Sequence, residues 1–286
     1  MFQAFSKMIK AVLWFILCIT VGCFTNALLK YMGAAMHPFQ INFYRCFFAT
    51  IVLLPLIFYQ GSRALSTHPR WLHLIRGLLF AVATSCWTYG IQKTPIATAT
   101  LVSFTTPLFV LLLAPIFLHE RVTRAMWMAT LLSFGGVWIV LQPNQDPSIT
   151  PLLLVFASAL FGLLDVLNKK QVAEGSILQM IFYATGFATL LLAPSVFLAS
   201  TVPTYREIGF LVGLGMGNNL LLYCLLRAFT LASASSLAPF RYLELPIAMI
   251  VGYLLFQEFP DRNLYVGAAV IIPATLFALY QQQPDA

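Results

Sequence analysis

An all-α integral membrane protein is the fold class this sequence predicts, and three observations predict it. Apolar runs of about 18 to 22 residues recur along the chain, each long enough as a helix to cross a ~30 Å hydrocarbon core. Of the 286 residues, 60% are hydrophobic and only 9% charged, with mean hydropathy +0.87, against roughly 25% charged in a soluble domain. The chain also repeats itself after half its length.

The apolar runs predict ten spans, roughly 10–30, 39–59, 71–92, 97–118, 123–141, 150–168, 177–199, 207–229, 233–257 and 262–281, joined by short loops. They are continuously apolar, whereas barrel strands alternate at every second residue, so helices are preferred over a β-barrel. Lys7 and Lys10 ahead of span 1 imitate a signal peptide. That apolar run is too long, and no small-residue cleavage site follows, so a membrane helix is expected there.

Net charge +7 and a pI near 9.3 would fit a nucleic-acid partner, but the distribution of the basic residues favours a lipid bilayer and no nucleic acid. With the N-terminus inside, Lys7, Lys10, Arg63, Arg70, Arg76, Arg121, Arg124, Lys169, Lys170 and Arg227 fall on inner segments, and Lys30, Lys93, Arg206 and Arg262 on outer ones. By the positive-inside rule both termini are expected to be cytoplasmic, in a bacterial inner membrane. Cys18, Cys23, Cys46, Cys86 and Cys224 lie inside apolar runs without CxxC spacing and read as packing residues. His37, His68, His73 and His119 lie near span ends without metal-ligand spacing, so neither a metal site nor a cofactor is expected.

Residues 26–58 overlay 165–197 without a gap. Phe48/Phe187, Ala49/Ala188, Thr50/Thr189, Leu53/Leu192, Pro55/Pro194 and Phe58/Phe197 match, Lys30/Lys169, Gln40/Gln179 and Tyr44/Tyr183 keep the register, and Asn26 faces Asp165. Further on, YGIQKTPIATATLVSF (89–104) parallels YCLLRAFTLASASSLAPF (223–240), and the runs ending in Glu120 and Glu258 correspond. The unit is five spans, residues 1–145 and 146–286. Five is odd, so the second copy enters the membrane from the opposite side. Two inverted five-helix repeats let one central site face either side in turn.

The segments WTYGIQKTPIATATLVSFTTPLFVLLLAPIFLHE (87–120) and APFRYLELPIAMIVGYLLFQEFPD (238–261) resemble the two halves of the drug/metabolite transporter superfamily, in its EamA-like branch. The resemblance covers nearly the whole chain. It implies ten helices, a central cavity and transport of a small metabolite without ATP hydrolysis. Within that branch WTYG, TATLVSF, LLDVLNKK (163–170), RYLEL (241–245) and EFPD followed by VIIPATLF (270–277) are similar to the S-adenosylmethionine uptake transporters of intracellular bacteria. That implies import of S-adenosylmethionine, with S-adenosylhomocysteine as exchange partner. Leu245 departs from the superfamily's usual proline at that place, and Pro246 follows it. Export of amino acids or other metabolites, which the superfamily also performs, is the alternative.

Ionisable residues at mid-membrane are costly, roughly 2.5–3.5 kcal/mol on insertion scales, and so mark candidate sites. Arg241 and Glu244 stand about 8 and 11 residues into span 9, near the bilayer centre at 1.5 Å per residue; they form either a binding pair or a mutually neutralising helix glue. Their first-half counterparts are Ser103 and Thr106. Asp165 serves as a further site residue or pairs with Lys169 one turn on. Arg45 fits a carboxylate-binding or a snorkelling role and faces Ala184 in the alignment. Asn218 and Asn219, after the small run GLGMG (213–217), fit substrate contact or interhelical hydrogen bonding.

Trp87, Tyr89, Phe104 and Tyr242 supply faces for a flat ring or a cation, with an outer aromatic belt as the other reading of Trp87 and Tyr89. Pro95, Pro107, Pro115, Pro239 and Pro246 punctuate spans 4 and 9 as hinges or kinks. An enzyme would need a nucleophile or metal constellation, and HExxH, GxSG and paired intramembrane aspartates are missing from the sequence. A passive channel or structural protein is the remaining alternative class. The topology has a direct test. A reporter fused after residue 146 is expected to be active only outside the cytoplasm, and cytoplasmic activity there would refute the five-span repeat.

Overall fold

The computed structural model describes residues 2–60, 70–117, 149–172, 176–198, 202–232 and 237–280, with positions 128, 131, 132, 135, 136, 138 and 139 between them. Among these residues the regular structure is entirely helical. In chain order the elements are α1 (Phe2–Met32), α2 (Pro38–Gln60), α3 (Arg70–Lys93), α4 (Ile96–Ser103), α5 (Thr106–Phe117), α6 (Thr150–Val172), α7 (Ile177–Leu192), α8 (Pro194–Leu198), α9 (Tyr205–Leu231), a 3-10 segment Ala238–Leu243, α10 (Glu244–Phe256) and α11 (Arg262–Tyr280). Six stretches are helical, long and apolar enough to cross a membrane, one of them the α4–α5 pair, and α7 and α10 are shorter apolar helices. The fifth expected span, 123–141, lies largely outside the described residues, as does Glu120.

Expected spans 4 and 9 are broken, and at matched places. Span 4 divides at Phe104 and Thr105, whose amides turn back to Leu101 and Val102 at 3.2 and 3.0 Å. Pro107 has no N–H to continue the ladder and sits in the first turn of α5, where that loss is harmless. Span 9 divides at Leu243, where the 3-10 segment with Pro239 passes into α10 with Pro246 in its first turn. The repeat register lays Phe104 and Thr105 on Tyr242 and Leu243. Pro55 and Pro194 behave differently: α2 runs through Pro55, whereas a turn at Ala193 separates α7 from α8.

The packing is reciprocal between the halves. α1 packs most extensively on α9, and α6, the first helix of the second half, packs likewise on α3; α2 meets α9 as α7 meets α3. α2 and α7, the repeat counterparts, lie against each other, and the matched residues Thr50 and Thr189 bring their hydroxyls to 3.5 Å. Like residues meeting like is what a two-fold axis between inverted copies requires, and the axis passes beside this threonine pair.

Close approach at the axis needs small residues. A Cβ at Gly215 would stand 2.6 Å from the Ala49 amide nitrogen and 2.9 Å from the Phe48 carbonyl carbon, both backbone atoms that cannot swing aside. The sequence's small run GLGMG is therefore the seat of α9 on α2. Beside it the Asn219 amide donates to the Ala49 carbonyl at 2.7 Å. Gly215→Ala is expected to lower stability by about 1–3 kcal/mol, the usual cost of overpacking, read as a fall in Tm of the purified protein in detergent. An unchanged Tm would mean that α9 sits farther from α2.

Candidate functional site

Several polar and charged residues of the interior line one cavity between the two halves. Its wall is supplied by α1 through Thr25 and Asn26, α2 through Arg45, α3 through Arg76 and Trp87, and the α4–α5 break through Ser103 and Thr106. The second half supplies Phe161 and Asp165 on α6, Ala184 on α7, Asn218 on α9 and, at the break of span 9, Arg241 and Glu244. Four repeat-matched pairs, Asn26/Asp165, Arg45/Ala184, Ser103/Arg241 and Thr106/Glu244, all line it. The cavity thus straddles the pseudo-two-fold axis, and in each pair one member is charged while the other is neutral.

Arg241 lies 4.0 Å from Asp165, with both side chains largely covered. That pairing joins the 3-10 segment to α6. Among the described residues the Glu244 carboxylate has neither a hydrogen bond nor an ion-pair partner, although its backbone carbonyl accepts from the Cys23 thiol at 3.7 Å. The Arg45 guanidinium donates to Asn218 Oδ1 at 2.9 Å. Trp87 is held edge-on to Phe161, with ring centres 6.2 Å apart, and its indole N–H donates to Asn26 Oδ1 at 2.9 Å. The aromatic surface of the cavity is therefore fixed by packing and by a hydrogen bond.

Three sequence candidates fall elsewhere, and a fourth is not described. Phe104 is fully buried in the central core and does not line the cavity, because the break between Ser103 and Thr106 turns the two residues between them, Phe104 and Thr105, inward. Tyr89 lies at the far end of α3, where Lys93 donates to its hydroxyl at 2.9 Å. Asn219 spends its amide on Ala49 rather than on the cavity. Tyr242 sits in the 3-10 segment, and its side chain lies outside the described residues.

Each end of the bundle carries a polar tie between the halves. At one end Lys30 pairs with Glu258 and donates to the Thr94 carbonyl at 2.7 Å, while Glu258 Oε2 accepts from the Ile96 amide at 2.8 Å. The left-handed turn at Gln257, φ 56°, swings Glu258 back over the start of α4. There it satisfies an amide that the helix leaves unpaired. At the opposite end Arg76 on α3 donates to Asn168 at 3.0 and 2.5 Å and to Gln171 at 2.7 Å, both on α6, and lies 3.3 Å from His73. His73 leans on Tyr183 with ring centres 4.8 Å apart.

Arg76, one of the basic residues expected on the inner segments, is 3% exposed. Its partners come from the other half of the chain, so only a glutamine and an asparagine one turn apart at the end of span 6 could have hinted at it.

The EamA-like transporter family model matches the chain twice, over residues 9–142 and 148–280. The chain is an EamA-like transporter. It is an all-α membrane protein of ten transmembrane helices in two inverted five-helix repeats. It is 39% identical over 94% of its length to an S-adenosylmethionine uptake transporter of Rickettsia bellii, covering 93% of that protein, and 38% identical over 98% to one of Rickettsia prowazekii, covering 96%. A riboflavin transporter of Brucella anthropi is 33% identical over 84% of the chain and 87% of its own length. A crystal structure with 18% identity, TM-score 0.65 and 98% coverage of both chains shares the fold.

The tie at the Lys30 end can be measured. Glu258→Gln leaves Lys30 without its counter-charge and is expected to cost about 1.5–3 kcal/mol, as for hydrogen bonds to charged groups. Adding Lys30→Met should cost little more, because coupled partners are not additive. Strict additivity of the two losses in Tm would show that the pair does not interact.

Proposed function

We propose that this EamA-like transporter imports S-adenosylmethionine across a bacterial inner membrane, in exchange for S-adenosylhomocysteine, by alternating access of repeats 1–145 and 146–286. The observation that carries the substrate is the near full-length similarity, at 38–39% identity, to proteins named for its uptake. The cavity chemistry supports it. S-adenosylmethionine presents a sulfonium, an ammonium, a carboxylate and a flat base, and the wall offers an unpaired acid, buried arginines and a fixed Trp87–Phe161 surface.

In this reading Arg241 and Asp165 compensate each other, and Glu244 is left for a cation of the ligand. The cavity measures about 190 Å³, below the ~300–1,000 Å³ of sites that hold metabolites of this size. Admission of the ligand therefore requires the halves to part at one end. The two polar ties mark where they part, and both are made in this conformation.

Demethylation removes the sulfonium charge and keeps the ammonium. A carrier of both forms gains most from an acid directed to the shared group, which is the role proposed for Glu244. Glu244→Gln is expected to weaken both ligands about tenfold, equivalent to roughly 1.4 kcal/mol, in correctly inserted protein. Liposomes containing purified protein, offered labelled S-adenosylmethionine beside riboflavin and amino acids, test the substrate itself. Saturable uptake stimulated by internal S-adenosylhomocysteine is expected; uptake of riboflavin alone would overturn the assignment, and non-saturable flux would indicate a channel.

A further inference from the structure

Two cations on the cavity wall, Arg45 and Arg76, have no counter-charge among the described residues; Arg76 is held by Asn168 and Gln171, whereas the hydrogen bonds of Arg45 are incomplete. Arg45 is 6% exposed at depth in α2, and among the described residues no carboxylate lies within 4.0 Å of it. Among the described residues its one hydrogen-bond partner is the Asn218 side-chain oxygen at 2.9 Å, and its Nε has no acceptor. Asn218 is 3% exposed, and its amide nitrogen is likewise without an acceptor. A neutral amide does not offset the cost of burying a guanidinium, so a charge kept in such a place is normally completed by a ligand or a partner. Snorkelling does not account for it, because the head group is directed across the seam to α9.

The position is also held rigidly. Gly215 seats α9 on α2 and Asn219 bonds Ala49, so Asn218 is fixed opposite Arg45. Across the repeat axis Ala184 stands where a second arginine would be, and it too lines the cavity. We propose that Arg45 and the Asn218 amide form the subsite for the substrate's carboxylate, the planar fork taking the anion and the amide nitrogen adding a donor at its edge. The proposal rests on the carrier reading and deepens it. The ligand is sorted by charge, its carboxylate at the α2–α9 seam and its ammonium at Glu244. Carboxylate-bearing zwitterions are then accepted and neutral flavins disfavoured.

The test compares S-adenosylmethionine with its decarboxylated analogue, binding to the full chain in nanodiscs. Wild-type protein is expected to bind the carboxylate form at least tenfold more tightly. Arg45→Gln should erase that preference by weakening S-adenosylmethionine tenfold or more while moving the decarboxylated analogue less than twofold, and Asn218→Ala should erase part of it. Equal wild-type affinities would overturn the proposal, as would an equal loss of both ligands in Arg45→Gln. The wild-type comparison decides the matter even if the variant does not fold.

Should wild-type protein bind neither compound, the substrate assignment has failed, and the subsite is judged separately. Amino acids and their carboxamides are then compared as thermal stabilisers. Protection by the carboxylates alone sustains the subsite, and protection by neither or by both equally removes it.

Discussion

Hydrocarbon offers no hydrogen bonds, so every ionised or amide side chain at membrane depth must find its partner within the protein. In this chain several of those partners are found across the seam between the two repeats. Arg76 reaches Asn168 and Gln171, Lys30 reaches Glu258, and Arg45 reaches Asn218, each bond joining the first half to the second. The apolar faces do little to hold helix to helix, since lipid tails are as apolar as leucine. Close packing at small residues and these few polar bonds define how the halves meet, and the cavity is the space that they enclose.

Much of this arrangement was legible in the sequence because duplication writes it twice. The ungapped match of residues 26–58 with 165–197 implies an axis, and Thr50 meeting Thr189 lies beside that axis. Pro107 and Pro246 stand just after the breaks of spans 4 and 9, whereas Pro115 lies within α5, and Arg241 and Glu244 line the cavity. What was not legible is direction. Matched positions share a depth, but a helix break changes which side chain turns inward, so Phe104 went to the core while Ser103 and Thr106 reached the cavity. Arg76 was hidden for a different reason: a charge near a span end looks solvated until the residues that cover it, nearly a hundred positions away, are known.

The repeats share a backbone plan and differ in charge. Asn26 against Asp165, Arg45 against Ala184, Ser103 against Arg241 and Thr106 against Glu244 each set a charged residue opposite a neutral one around the same axis. A symmetric frame is what permits two equivalent ways of opening. An asymmetric lining is what gives a bound molecule a single preferred orientation, because a dipolar ligand turned end for end would meet the wrong charges.

The two ends then impose opposite demands on the carrier cycle proposed above. A tie that is too strong would lock one mouth, and a tie that is absent would leave a leak. Both ties here are small clusters: an ion pair with two backbone bonds at one end, and an arginine held by neutral amides at the other. Net values for such bonds are of the order of 0.5–3 kcal/mol each, the same scale as the differential binding with which a ligand shifts a conformational equilibrium. An occupant that satisfies Arg45 and Glu244 better with the halves in one relation than in the other can therefore decide which tie breaks, without any other source of energy.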